Sequence, residues 1–154
     1  MSRRWALMER FDVPSVDHPA ELHFSRLRIV QTPWFGAYLH RFDNPDVRQL
    51  HDHPWPFVSF ILRGGYEEVR AYGHAPVRVR WYNVKRSTDL HYIAKLLHRP
   101  TWTLIFVGPR VRTWGYVDPD GTWTQFDQHP NAEKFDAAIA ARATGAAPEG
   151  AGNG

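Results

Sequence analysis

The chain has 154 residues, enough for one domain with its own core and too few for two. Hydrophobic residues make up 43% and aromatic residues 14%, which excludes a disordered chain, and the 12 Pro and 11 Gly scattered between short apolar runs exclude a helical bundle. With 9 His and no Cys there are no disulfides and no thiolate metal site, while the net charge of +3 rests on dispersed Arg rather than on a compact patch.

Residues 1–21 read as an irregular segment, with Pro14 and Pro19 as breakers and no apolar stretch of signal-peptide length. Strands are predicted over 22–30 and 34–42, ending in the turn signal Asp43-Asn44-Pro45-Asp46. An apolar run at 57–62 lies between Pro54 and Pro56 on one side and Gly64-Gly65 on the other. Further strands are expected over 66–72, 77–84, 90–96 and 101–107, then a hairpin of 111–116 with 122–126 about Asp118-Pro119-Asp120-Gly121. Many short strands with almost no helical period predict an all-β barrel or sandwich over 22–128. A short helix is expected over 129–143, where Phe135 and Ile139 share a face, and a disordered tail over 144–154. No apolar run approaches the ~20 residues of a membrane span, so a cytoplasmic protein without membrane contact is expected.

The chemistry centres on His51-Asp52-His53. In extended backbone, residues i and i+2 point to one face, so two imidazoles there can ligate one metal ion without distortion. His91, on a later predicted strand, offers a third. The same residues have a simpler reading, in which His51 and His53 bond turns and His91 is a satisfied core residue.

These residues resemble the first motif of the cupin superfamily: Gly, five residues, His-x-His, three or four residues, Glu, six residues, Gly. His51, His53 and Gly64 fall in register, whereas Pro45 replaces the opening Gly and Phe57 replaces the metal-binding Glu. In the second motif only His91 matches; Arg80, Arg86 and Thr88 replace the Gly, Pro and Gly, and Lys95 replaces the Asn. The resemblance implies a single-domain double-stranded β-helix, or jelly-roll barrel, with a three-His site similar to that of thiol dioxygenases. Glu67 or Glu68 is a candidate oxygen ligand from the next strand, and His98 is the substitute should His91 face outward.

Such a site suits Fe(II), and also Zn, Mn, Co or Ni, because imidazole is unselective. Tyr66 is a candidate catalytic acid or hydrogen-bond donor, and Lys95 shares the parity of His91 and is a candidate contact for an anionic substrate group. Arg110, Arg112 and Trp114 are expected on one face of a strand. The expected function is metal-dependent action on a small molecule, as an Fe(II)-dependent dioxygenase. The alternatives are a non-catalytic binding or sensing barrel and a cupin isomerase or epimerase. Nucleic acid is not an expected partner, and pairing of exposed edge strands makes a homodimer an expectation.

Overall fold

The computed structural model describes residues 5–15 and 21–144. Among these residues the expected all-β architecture is present, with twelve strands, a 3-10 turn at Phe126–Gln128 and one helix, α1 (Pro130–Thr144). In chain order the strands are β1 (Ala6–Pro14), β2 (Leu22–Gln31), β3 (Gly36–Phe42), β4 (Leu50–His51), β5 (Phe57–Arg63), β6 (Tyr66–Val69), β7 (Val77–Val79), β8 (Tyr82–Lys85), β9 (Tyr92–Leu96), β10 (Thr101–Val107), β11 (Gly115–Val117) and β12 (Trp123–Gln125).

One wall of the barrel is a six-stranded sheet in the order β1-β2-β3-β10-β5-β8. The other wall has two three-stranded pieces, β12-β11-β4 and β7-β6-β9. They are joined at one point, where His51 and His91 exchange both backbone hydrogen bonds at 3.1 Å. That bridge makes the second wall continuous and places two of the three candidate ligands directly opposite each other.

Alternation decides what faces inward. Along β10, Thr101, Thr103, Ile105 and Val107 are buried. One core cluster unites Tyr38, Phe57, Ile105 and Val107 with Trp55 packed against it. A second unites Tyr66, Val79, Ile93 and Leu96 with Phe42 and Ile61. The β5–β6 connection is Gly64-Gly65, with φ of +89° and +119°, and a Cβ on Gly64 would lie 2.5 Å from the Thr101 hydroxyl. Glycine is required there both by conformation and by space.

Three expectations need correction. Residues 6–14 are not irregular: they form β1, an edge strand paired antiparallel with β2. Four of its nine side chains are exposed and only Val13 and Pro14 are buried, so no hydrophobic alternation marks it. The predicted strand 77–84 is two strands: β7 pairs with β6 and β8 pairs with β5, so the chain crosses between walls at Arg80-Trp81. Residues 111–114, expected as strand, are loop; Trp114 stacks on Phe126 at 4.3 Å, and Arg112 turns to Asp52. The tail expected at 144–154 lies, beyond Thr144, outside the described residues. No helix among the described residues is long and apolar enough to cross a membrane.

Candidate metal centre

His51 closes β4, His53 follows in the Pro-bounded loop, and His91 precedes β9. Their backbones are tied together: His51 pairs with His91, Asp52 N–H donates to the Gly115 carbonyl at 3.1 Å, and His53 N–H donates to the Ser87 carbonyl at 3.1 Å. The two imidazoles of the His-x-His turn inward while Asp52 points the other way. Asp52, only 2% exposed, accepts from Gly115 N–H at 2.7 Å and from Trp123 Nε1 at 3.0 Å, and its carboxylate pairs with Arg112 at 3.0 Å. Gly115 must be glycine for this approach, since a Cβ there would lie 2.2 Å from the Thr124 carbonyl oxygen. Asp52→Ala would orphan two donors and a guanidinium, a loss on the order of 3 kcal/mol. Asp52→Asn keeps the shape and should cost about 1 kcal/mol. Urea unfolding of both variants checks this anchor.

The three imidazoles converge so that one nitrogen from each lies within 4.8 Å of the others. His53 Nε2 and His91 Nε2 are 2.8 Å apart. Neighbouring imidazole ligands with metal–nitrogen bonds of about 2.0–2.1 Å stand roughly 3 Å apart, so the donor set fits a divalent ion. Second partners orient two of the rings. His51 Nδ1 donates to the Gln49 carbonyl at 3.3 Å, and His91 Nδ1 donates to Glu68 Oε2 at 2.8 Å. Each proton is thereby fixed on Nδ1, leaving the Nε2 lone pair for a metal. Burial, then the neighbouring His91, lowers the His51 pKa to about 4 and holds His53 well below the ordinary imidazole value. Both rings are therefore neutral ligands at neutral pH.

Glu68 is the residue on which this arrangement turns. Its side chain is fully buried and accepts from His91, from Asn83 Nδ2 at 2.9 Å, from Lys85 Nζ at 2.9 Å and from Arg70 Nε at 2.6 Å. Burial alone would raise its pKa, but His91 and Lys85 outweigh it and hold the carboxyl well below the usual range. Burial also lowers the Lys85 ammonium, against the pull of Glu68. Glu68 thus orients a ligand and carries its own counter-ion.

The structure separates the other candidates. Glu67 is not with the histidines: it alternates to the outer face of β6 and pairs with Arg78 at 2.8 Å. Lys95 also faces outward and is exposed, despite its parity with His91. The cause is a register shift between β6 and β9, where Glu67 faces Lys95 but Glu68 faces Ile93, leaving Ala94 as an extra residue that reverses the alternation. His98 is exposed. Tyr66 does line the interior; its hydroxyl accepts from Asn83 at 3.0 Å, and burial raises its pKa so that it stays protonated. Phe57, in place of a carboxylate, stands edge-on to His53 with ring centroids 4.8 Å apart.

The histidines open into a cavity of about 150 Å³ between the two walls. Phe57, Ile93, Ile105 and Val107 give it apolar surface, and Arg26, Tyr38, His40 and Ser59 give it polar surface from the six-stranded wall. A wider groove of about 640 Å³, bordered by Asn44, Gln49, Arg99 and Lys134, contains none of the three histidines.

No family model and no curated protein matches the sequence. Solved structures do resemble the fold. The polyketide cyclase RemF from Streptomyces resistomycificus superposes with a TM-score of 0.54 at 13% identity, covering 88% of this chain and 99% of that one. KdgF from a Halomonas species gives a TM-score of 0.48 at 19% identity, covering 70% and 89%. An uncharacterized Klebsiella pneumoniae protein with a double-stranded β-helix domain gives 0.48 at 12% identity, covering 60% and 83%.

Proposed function

Taking the cupin-type double-stranded β-helix as the frame, we propose that this chain holds a divalent metal, Fe(II), on His51, His53 and His91 and acts on a small molecule with dioxygen as co-substrate. The observation that carries the reading is the convergence of three imidazoles, two of them oriented by Gln49 and Glu68, at the wall of an internal cavity. Bound Fe(II) would supply open positions at which a chelating molecule and dioxygen bind together.

The chain's own residues do the rest. Glu68 keeps the His91 proton at Nδ1, and the Lys85 ammonium keeps Glu68 ionised. Phe57, Ile93, Ile105 and Val107 limit the water around the bound molecule. Tyr66 holds a proton at its hydroxyl, beside the cavity and within reach of Asn83. A second reading, a binding barrel without turnover, is favoured by Phe57, which fills the place of a carboxylate ligand.

Purified protein should carry close to one equivalent of metal after anaerobic reconstitution with Fe(II), read by elemental analysis. The Fe(II) form should consume oxygen with a member of a small-molecule panel. Stoichiometric metal without oxygen uptake across the panel would favour the binding barrel, and failure to retain Fe(II), Zn, Mn, Co or Ni would overturn the metal centre.

A further inference from the structure

Across the cavity from the histidines, on the six-stranded wall, lies Arg26 of β2. Its neighbours hold it in one pose. Nε donates to His40 Nε2 at 2.8 Å, and the guanidinium lies over the Tyr38 ring at 5.1 Å and the Phe24 ring at 5.5 Å. His40 is 5% exposed, and burial followed by the Arg26 charge lowers its pKa far below the ordinary value, so it is a neutral acceptor. Tyr38, whose hydroxyl donates to Gln31, is neutral too, because burial raises its pKa. Among the described residues no carboxylate pairs with Arg26.

That is unusual for this interior. Lys85, also inward-facing, has Glu68 as counter-ion, and His23 has Asp46 at 2.9 Å. A part-buried guanidinium without an anion is costly unless something supplies one. Burial accordingly lowers the Arg26 pKa to about 10, and its charge is felt at His53 on the opposite wall. Nε is committed to His40 and the ring faces to Tyr38 and Phe24, so the terminal amino edge remains for a planar two-oxygen group. The cavity of about 150 Å³ accommodates a small acid.

We propose that Arg26 binds the carboxylate of a small organic acid, setting its reactive end toward His51, His53 and His91. The proposal deepens the metal-centre reading by naming the substrate class, and rests on it for the orientation. Lactate and its uncharged counterpart lactamide serve as probes, titrated calorimetrically into wild type, R26M and R26Q, each with and without bound metal. Circular dichroism reports folding, and elemental analysis reports metal content.

Wild type should bind lactate at least tenfold more tightly than lactamide. R26M and R26Q should lose at least tenfold in lactate affinity while keeping wild-type metal content. A smaller loss in a folded variant overturns the proposal. So does equal binding of the two probes by wild type, a result that stands even if neither variant folds. Should wild type hold no metal, the metal-centre reading fails alone; lactate binding to the metal-free protein that R26M abolishes would still assign the anion site.

Discussion

Glu68→Gln should cost about 3–5 kcal/mol of stability, because it strips the counter-ion from a lysine that is 4% exposed. Against a typical domain stability of about 5–15 kcal/mol, that is a large share. The same substitution should weaken metal binding by about 10–100-fold, since His91 loses the acceptor that fixes its ring. The two effects separate in the double variant E68Q/K85M. Replacing the stranded ammonium with an apolar chain should recover much of the stability but none of the metal affinity. Chemical denaturation and metal titration of the single and double variants measure both. Recovery of metal affinity in the double variant would mean that Glu68 acts only through folding. The stability from Glu68 is fully present above the ordinary carboxyl value of 4.5, since its folded pKa lies lower, and is lost only as pH falls beyond that into strong acid.

The relation of sequence to fold follows from where burial is periodic. Thr101–Val107 reads correctly from the sequence to the residue because long neighbours, β3 and β5, flank it on both sides and one face is sealed against the core. Ala6–Pro14 does not, because an edge strand that buries only its last two residues, Val13 and Pro14, has no alternation to show; its pairing with Leu22–Gln31 is visible only in three dimensions. The break at Arg80-Trp81 is silent for a different reason. Val79, Asn83 and Lys85 share one parity and are buried, whereas Trp81 between them is 80% exposed where the strand changes walls, and its residue type does not announce that.

The site divides along the same line. His51, His53 and His91 are legible because i, i+2 parity and motif spacing need only local extended backbone. Glu68 and Glu67 are adjacent carboxylates, and sequence cannot say which faces inward until Tyr66 is known to be buried. Lys95 departs from the parity of His91 because of a bulge at Ala94, which has no Gly or Pro to announce it. One signal was available. Strand β8 is inverted, with Asn83 and Lys85 on the face where apolar residues are expected and Tyr82 and Val84 outside. A lysine with core parity demands a buried anion, and Glu68 is that anion. Arg26 of β2 and His40 of β3 are a comparable case: polar residues at inward positions, beside the buried Tyr38. Asp52 is legible as part of the His-x-His, but its role needs Gly115, Trp123 and Arg112, all sixty or more residues along the chain.

His91→Ala should have the opposite profile to Glu68→Gln. Glu68 keeps Lys85, Arg70 and Asn83 as partners, so the fold should survive, whereas the metal loses one of three ligands. The loss of metal affinity should exceed the ~10–100-fold expected of an orienting partner. At a hundredfold excess of metal over its dissociation constant, wild type gains about 2.7 kcal/mol, or roughly 5–10 °C in Tm for a domain of this size. The variant should gain almost none. Thermal melts with and without Fe(II) or Zn read this directly, and a full metal-dependent shift in the variant would remove His91 from the site. The pH profile adds a check with a definite sign. His51 is lowered to about 4 and His53 well below 6.5, so folded protein should hold metal undiminished to about pH 6 and release it only nearer pH 4. The metal-free protein behaves otherwise. Unfolded imidazoles take up protons near pH 6.5 while the buried ones do not, so its stability should fall between about pH 6.5 and 4. Bound metal adds a constant increment while the folded imidazoles stay neutral, so the two melting curves should fall in parallel below pH 6.5 and converge only as pH nears 4.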